Sequence, residues 1–140
     1  MFKIFFFLLS LSTISMNSVA CSCAEIRGNA RMFMQGATSV FIGIPATTSR
    51  PTGAQGQYGD TEVKTTFKIL KNFKNSFQKE VSLYSTKDSG ANCGTEFKKN
   101  AGAVLIFTYM DNNKLSTDGC SVLSIDHDQY TAEVLLELLN

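Results

Sequence analysis

Four cysteines constrain this chain more than any other feature, because two of them are separated by a single residue. Cys21 and Cys23 lie near the start of the 140-residue sequence, and Cys93 and Cys120 lie in its second half. An even number of cysteines in a small domain is typical of disulfide-bonded exported proteins. A Cys21–Cys23 bridge would close a tiny, strained ring, so we set that pairing aside. Two pairings remain, and each ties the start of the domain to its body.

The residues that precede the first cysteine have the pattern of a secretory signal peptide. Lys3 gives a basic start, residues 4–11 form an apolar run, and Ser18–Ala20 fit the small-x-small rule for cleavage. The apolar run is too short to span a bilayer. We therefore expect residues 1–20 to be removed, residues 21–140 to form a single domain, and the protein to be secreted or periplasmic without a membrane anchor.

A cysteine directly after a signal sequence has other interpretations. Lipid attachment to Cys21 would anchor the protein in a membrane, but Ser18 suits that processing poorly and acylation would leave an odd number of cysteines. A redox pair or a thiolate metal site is less favoured, because the spacing is not Cys-x-x-Cys and no second close pair exists. We expect two disulfides, a free amine on Cys21, and neither a cofactor nor a metal ion of the protein's own.

Strand patterns dominate the rest of the chain. The predicted strands cover residues 38–44, 62–70, 79–85, 101–110 and 114–122, the last of which carries Cys120. Helical patterns cover residues 25–35 and 126–139, with Asp128 as the cap of the second helix. Residues 50–60 contain glycines and Pro51, and are predicted to form a long loop or hairpin turn.

Five short strands with glycine-bearing turns leave few exposed edges if they curl into a barrel. The predicted fold is therefore mainly β, a five-stranded OB-like barrel with a short N-terminal helix and a C-terminal helix. The net charge of +1 gives no overall field that would favour nucleic acid or an anionic membrane, so we expect no nucleic-acid partner.

Several motifs together resemble a known family. They are Cys21-Ser22-Cys23, Val-Phe-Ile-Gly at 40–43, Lys-Asn-Phe-Lys at 71–74, Cys93-Gly94 and the late Cys120. The pattern is similar to that of the N-terminal domain of the tissue inhibitors of metalloproteinases, which has a netrin-like OB barrel, and it covers most of residues 21–140. The resemblance indicates a minimal, single-domain form of the kind expected in bacteria.

The resemblance implies a disulfide pairing, which the spacing alone leaves open. It pairs Cys21 with Cys93 and Cys23 with Cys120. The chain departs from the family at Ala24-Glu25, where the family usually has a proline. It also lacks the family's third bridge in this domain, and we expect the region after Arg27 to be looser as a result.

The resemblance also implies a function, which is inhibition of a zinc metalloendopeptidase by a monomeric exported protein. The α-amino nitrogen and carbonyl oxygen of Cys21 would chelate the catalytic zinc of the protease, and Ser22 would enter its main specificity pocket. The alternative is a non-inhibitory exported binding module that uses the same barrel for envelope or extracellular interactions. A thiol oxidoreductase is the least favoured of the three.

The remaining polar residues suggest no catalytic site. His127 is the single histidine, is expected to be solvated and is assigned no role, and no Ser-His-Asp grouping or pair of carboxylates stands out, so we expect no enzymatic activity. Five lysines form either a basic strip for a glycan or acidic partner or, as we favour, a solvated barrel face: Lys64, Lys68, Lys71, Lys74 and Lys79.

Overall fold

Seven strands and two helices make up the described part of the chain, which comprises residues 21–56, 59–77, 79–126 and 128–140 of a computed structural model. The predicted signal peptide and His127 lie outside these residues. In chain order the elements are α1 (Ala30–Gly36), β1 (Ser39–Pro45), β2 (Arg50–Gln55), β3 (Thr61–Lys74), β4 (Glu80–Thr86), β5 (Val104–Asp111), β6 (Lys114–Ser116), β7 (Val122–Ser124) and α2 (Gln129–Leu139).

Five of these strands close into a barrel in the order β1-β3-β4-β6-β5, and the circle is completed by pairing between β1 and β5. All of the pairings are antiparallel except the one between β4 and β6, where Tyr84 lies opposite Ser116. The prediction of a mainly β, five-stranded OB-like barrel with two helices is confirmed. The strands β2 and β7 extend the sheet beyond the barrel, on β3 and β5 respectively.

The alternation of apolar and polar residues in β3 explains how the barrel interior forms. Val63, Thr65 and Phe67 are buried, whereas Lys64 and Lys68 between and beyond them are exposed. The interior cluster consists of Phe41, Phe67, Leu83, Phe97 and Ile106. Its rings meet edge to face, as in the pair Phe67–Phe97 with centroids 4.8 Å apart.

A second apolar cluster lies outside the barrel, between β1, β5 and the two helices. It consists of Ile26, Ala30, Val40, Leu105, Phe107 and Val134. Because β1 and β5 contribute to both clusters, they are covered on both faces, which explains the almost unbroken apolar character of β5. Neither helix in the described residues is long and apolar enough to cross a membrane.

The prediction of a helix over residues 25–35 is wrong for its first half, because α1 begins only at Ala30. Gly28 has a φ of +80°, which is outside the helical region, and the amide of Asn29 closes a turn on the carbonyl of Ile26 at 2.9 Å. The segment before α1 is therefore a turn. The C-terminal end of α1 is capped by Lys74, whose Nζ donates to the carbonyls of Met34, Gln35 and Ala37, so this lysine does not belong to a solvated strip.

The prediction of a loop over residues 50–60 is also wrong in part. Residues Arg50–Gln55 form β2, which pairs with β3 as one arm of a hairpin and is exposed along its whole length. An edge strand with no buried face has no apolar alternation to reveal it. Pro51 is compatible with a strand here, because prolines within sheets are confined to edges and bulges.

The prediction of a fifth strand over residues 114–122 is wrong in part, because β6 ends at Ser116 and β7 begins only at Val122, with a turn between them. Both β6 and β7 pair with β5. Between them the Asp118 carboxylate accepts a hydrogen bond from the amide of Cys120 at 2.9 Å, and its carbonyl accepts one from Ser121 at 3.1 Å. Cys120 therefore lies in a loop and not in a strand. The second helix begins at Gln129 and not at residue 126, and Asp128 caps it as predicted, through the amide of Tyr130 at 3.1 Å.

Candidate functional site

The segment that begins at Cys21 forms an exposed ridge at one end of the barrel. Cys21 is half-buried, whereas Ser22, Cys23, Ala24 and Glu25 are all exposed. No secondary structure supports this stretch. Its position therefore depends on covalent links and on the turn that follows it.

Two disulfides fix the ridge, Cys21–Cys93 and Cys23–Cys120, which is the pairing implied by the family resemblance. The Cα atoms of each pair are 5.2 Å apart. The bridges lie side by side, with the sulfurs of Cys21 and Cys120 separated by 3.5 Å. Three sulfurs therefore cluster within 4.8 Å, but all four cysteines are bridged and offer no thiolate for a metal ion. The bridges indicate folding in an oxidising compartment outside the cytoplasm.

The two loops that carry Cys93 and Cys120 are joined by backbone contacts. The amide of Gly119 donates to the carbonyl of Cys93 at 2.8 Å. Within the first loop, the side-chain oxygen of Asn92 accepts hydrogen bonds from the amides of Ser89 and Gly94, each at 3.1 Å. These contacts make one rigid base from two loops that are far apart in sequence, and both bridges start from that base.

Gly94 lies so close to a neighbouring stretch of backbone that no side chain fits at this position. A Cβ atom at this position would lie 2.6 Å from the carbonyl oxygen of Lys87 and 2.7 Å from that of Thr86. Both atoms belong to the backbone, so they cannot move aside as the tip of a flexible side chain would. The residue after Cys93 must therefore be glycine for the loop to dock against the end of β4.

We expect Gly94→Ala to lower the free energy of unfolding by about 1–3 kcal/mol, because the methyl group forces the backbone apart. Urea denaturation of the oxidised protein measures this loss. Gly36→Ala is the matched control, since a Cβ there meets nothing within 4 Å, and it should leave stability unchanged or slightly raised. Equal stability of the two variants would contradict the close contact at Gly94.

The turn that follows the ridge is held by α2. The hydroxyl oxygen of Tyr130 accepts hydrogen bonds from the amides of Ile26 at 3.0 Å and Arg27 at 3.2 Å, and the Arg27 guanidinium lies 5.0 Å from the centre of the Tyr130 ring. The Glu137 carboxylate accepts from the amides of Gly28 and Ala30 at the start of α1. These contacts hold the region after Arg27, which we expected to be loose without a third bridge.

A groove of about 620 Å³ runs from the Cys93 loop across the barrel end, and Asp60, Asp111 and Asp118 make it acidic. The Tyr109 hydroxyl donates to the Asp118 carboxylate at 3.2 Å. Partial burial and the negative charge of Asp118 both raise the pKa of Tyr109 well above its usual range, so the phenol stays protonated and acts as a donor. We call this surface the acidic groove.

The structure brings together every cysteine that the sequence singled out and leaves Ser22 exposed beside them. Sequence reasoning missed the residues that form the base, above all Asn92 and Asp118. For Asp118 a signal was present, because Asp-Gly inside a predicted strand indicates a turn. The arrangement presents a short backbone segment that two disulfides fix in position. The side chain of Ser22, between the two bridged residues of that segment, is exposed.

Neither a scan against protein-family models nor a search of curated proteins gives a match to this chain.

Proposed function

We propose that the chain, after removal of residues 1–20, inhibits a zinc metalloendopeptidase with its new N-terminus. The observation that carries this proposal is the exposed ridge. Its first residue, Cys21, and its third, Cys23, are each bridged to the same rigid base, while Ser22 between them is exposed. The family resemblance of these residues adds support.

The chemistry of the proposal starts from the catalytic zinc of the protease, which keeps one coordination position open for water. The α-amino nitrogen and carbonyl oxygen of Cys21 form a five-membered chelate with that zinc and displace the water. The Cys21 sulfur takes no part, because it is bonded to Cys93. A protease whose water nucleophile is displaced cannot hydrolyse the chain that displaces it.

The bridges favour this binding by fixing the ridge in advance. A free terminus loses conformational entropy when it binds, whereas a segment bridged at its first and third residues has lost most of that entropy on folding. Ser22 is small and exposed, so its side chain enters the specificity pocket next to the zinc. Its hydroxyl then lies close to the carboxylate that serves as the general base of such proteases.

Inhibition should weaken in acid, because only the neutral amine binds zinc. An α-amino group has an unperturbed pKa of about 7.7 to 8.0. Below this range each pH unit removes about nine-tenths of the neutral form, so we expect the inhibition constant to rise about tenfold per unit. The experiment measures inhibition constants of the processed protein, starting at Cys21, against a panel of zinc endopeptidases between about pH 6 and pH 8.

Two controls accompany this assay. Mass spectrometry first establishes that the protein begins at Cys21 without lipid and that both bridges are formed. A small hydroxamate inhibitor of the same protease then reports the pH dependence that belongs to the protease itself. Inhibition of a zinc endopeptidase with an inhibition constant that rises as the pH falls supports the proposal. An inhibition constant that does not change with pH, or inhibition of serine proteases alone, would exclude chelation.

A further inference from the structure

A second groove, of about 530 Å³, lies on the outer face of β2, β3, β4 and β6. Strand pairing places Arg50 opposite Lys64, Lys64 opposite Tyr84, and Tyr84 opposite Ser116. These residues form one row across four strands, and Lys114 lines the groove beside the row. We call this surface the basic groove.

Two of the cations lie close to the aromatic ring of Tyr84. The ammonium nitrogen of Lys64 lies 5.7 Å from the centre of the Tyr84 ring, and that of Lys114 lies 4.9 Å from it. The negative face of an aromatic ring attracts ammonium groups at such distances. Ammonium groups from two different strands therefore both lie close to the Tyr84 ring.

The positive charge of the basic groove is only partly neutralised. Lys114 donates to both carboxylate oxygens of Glu62 at 2.8 Å, and Thr52 donates to one of them at 2.7 Å. Burial opposes ionisation of Glu62, but these hydrogen bonds outweigh it and hold the pKa of Glu62 below its usual range, so this carboxylate is ionised. Neither Arg50 nor Lys64 forms a salt bridge within the described residues.

The arrangement therefore leaves an excess of two positive charges, from Arg50 and Lys64, which occupy directly opposite positions on β2 and β3. Like charges in directly opposite positions destabilise a sheet. An anionic group placed between them would remove this repulsion and accept hydrogen bonds from both. The planar fork of Arg50 matches a carboxylate, which can accept two parallel hydrogen bonds from it.

We propose that the basic groove binds a polysaccharide that carries carboxylate groups, with a uronate placed between Arg50 and Lys64. The groove is of the size that binds small ligands. The hydroxyls of Thr47 and Thr66 line it and keep hydrogen-bonding capacity for sugar hydroxyls beyond the bond that Thr47 accepts from the Thr66 amide and the bond that Thr66 shares with Ser82. The face of an OB barrel formed by its second and third strands, here β3 and β4, is one on which such barrels bind oligosaccharides.

Charge favours a uronate chain over a densely sulfated one. The acidic groove adjoins the basic groove, since Glu62 and Tyr84 line both, and it places Asp60 and Asp111 on that side of the site. A uronate chain brings at most one negative charge per sugar, so each disaccharide carries no more charge than Arg50 and Lys64 together neutralise. A chain with several sulfates on each disaccharide brings surplus negative charge toward those aspartates.

Isothermal titration of the full processed protein with oligogalacturonates tests the proposal at near-physiological salt. The double variant Arg50→Gln/Lys64→Gln should bind at least about tenfold more weakly, because hydrogen bonds to charged groups are lost. The matched control Lys98→Gln/Lys99→Gln removes the same charge from two exposed lysines outside the groove and should bind like the parent protein. Thermal unfolding checks that both variants remain folded.

Further ligands decide what the basic groove recognises. A neutral maltooligosaccharide should not bind, and a heparin-derived oligosaccharide should bind more weakly than the uronate chain. Absence of oligogalacturonate binding, equal loss in both double variants, or tighter binding of heparin or of a poly-glutamate peptide would each overturn the proposal. An alanine added before Cys21 should leave glycan binding unchanged, so this result is independent of protease inhibition.

Discussion

Adding one alanine before Cys21 should abolish inhibition of the zinc endopeptidase. The added residue converts the α-amine of Cys21 into an amide nitrogen, whose lone pair is delocalised and not available to zinc. The extra alanine also lies between the Cys21 nitrogen and the metal ion and blocks its approach. We expect the inhibition constant to rise by at least about a thousandfold, which corresponds to about 4 kcal/mol of binding free energy. The fold should not change, because both bridges and the base that carries them are untouched.

Inhibition constants and thermal unfolding of the two proteins measure this effect. A variant with one alanine added after Asn140 is the control for the addition itself and should inhibit like the parent protein. Carbamylation of the amine should reproduce the loss without any change of sequence. Retained inhibition by the variant extended before Cys21 would show that the amine is not a zinc ligand.

Removing the bridge between Cys23 and Cys120 should have the second largest effect. The double variant Cys23→Ala/Cys120→Ala frees a link that spans 97 residues, and loss of a native disulfide from a small exported domain costs about 2–5 kcal/mol. For a domain of this size we expect the midpoint of thermal unfolding to fall by roughly 10–20 °C. The remaining Cys21–Cys93 bridge still fixes the first residue of the ridge.

Inhibition by this variant should weaken by about tenfold to a hundredfold, because the ridge must then be ordered on binding. Ala24→Ser is the matched control, since it alters an exposed residue of the same ridge and leaves both bridges in place. Inhibition assays at temperatures well below the unfolding midpoint keep the double variant folded. Any loss of inhibition there reports the loss of order in the ridge and not unfolding of the domain. An unchanged inhibition constant in the folded double variant would mean that Cys23 is not needed to position the ridge.

The barrel was predictable because its strands repeat a pattern with a period of two residues. Val63, Thr65 and Phe67 alternate with the polar residues Lys64, Thr66 and Lys68, and a strand with one buried face explains that sequence. The strand Arg50–Gln55 has no such pattern because every residue in it is exposed. Its pairing with β3 is set by the hairpin, which the composition of the segment does not specify.

The ridge was predictable from its cysteines, but the base that supports it was not. Spacing left two disulfide pairings open, and the choice between them came from the family resemblance. A Cβ atom at Gly94 would lie 2.6 Å from the carbonyl oxygen of Lys87, and this contact depends on where that carbonyl lies in three dimensions. The sequence does not indicate it, because glycine after a cysteine is compatible with many loops. The Glu137 carboxylate accepts a hydrogen bond from the amide of Ala30, which is 107 residues away in the sequence. No local sequence pattern indicates such a contact.

The most direct test of the proposed function uses a zinc endopeptidase in which cobalt replaces the catalytic zinc. Addition of the processed protein should change the visible absorption of the cobalt, because an amine nitrogen and a carbonyl oxygen from Cys21 replace water in its coordination sphere. The protein with one alanine added before Cys21 should leave the spectrum unchanged. Inhibition by the processed protein with an unchanged cobalt spectrum would contradict chelation by Cys21.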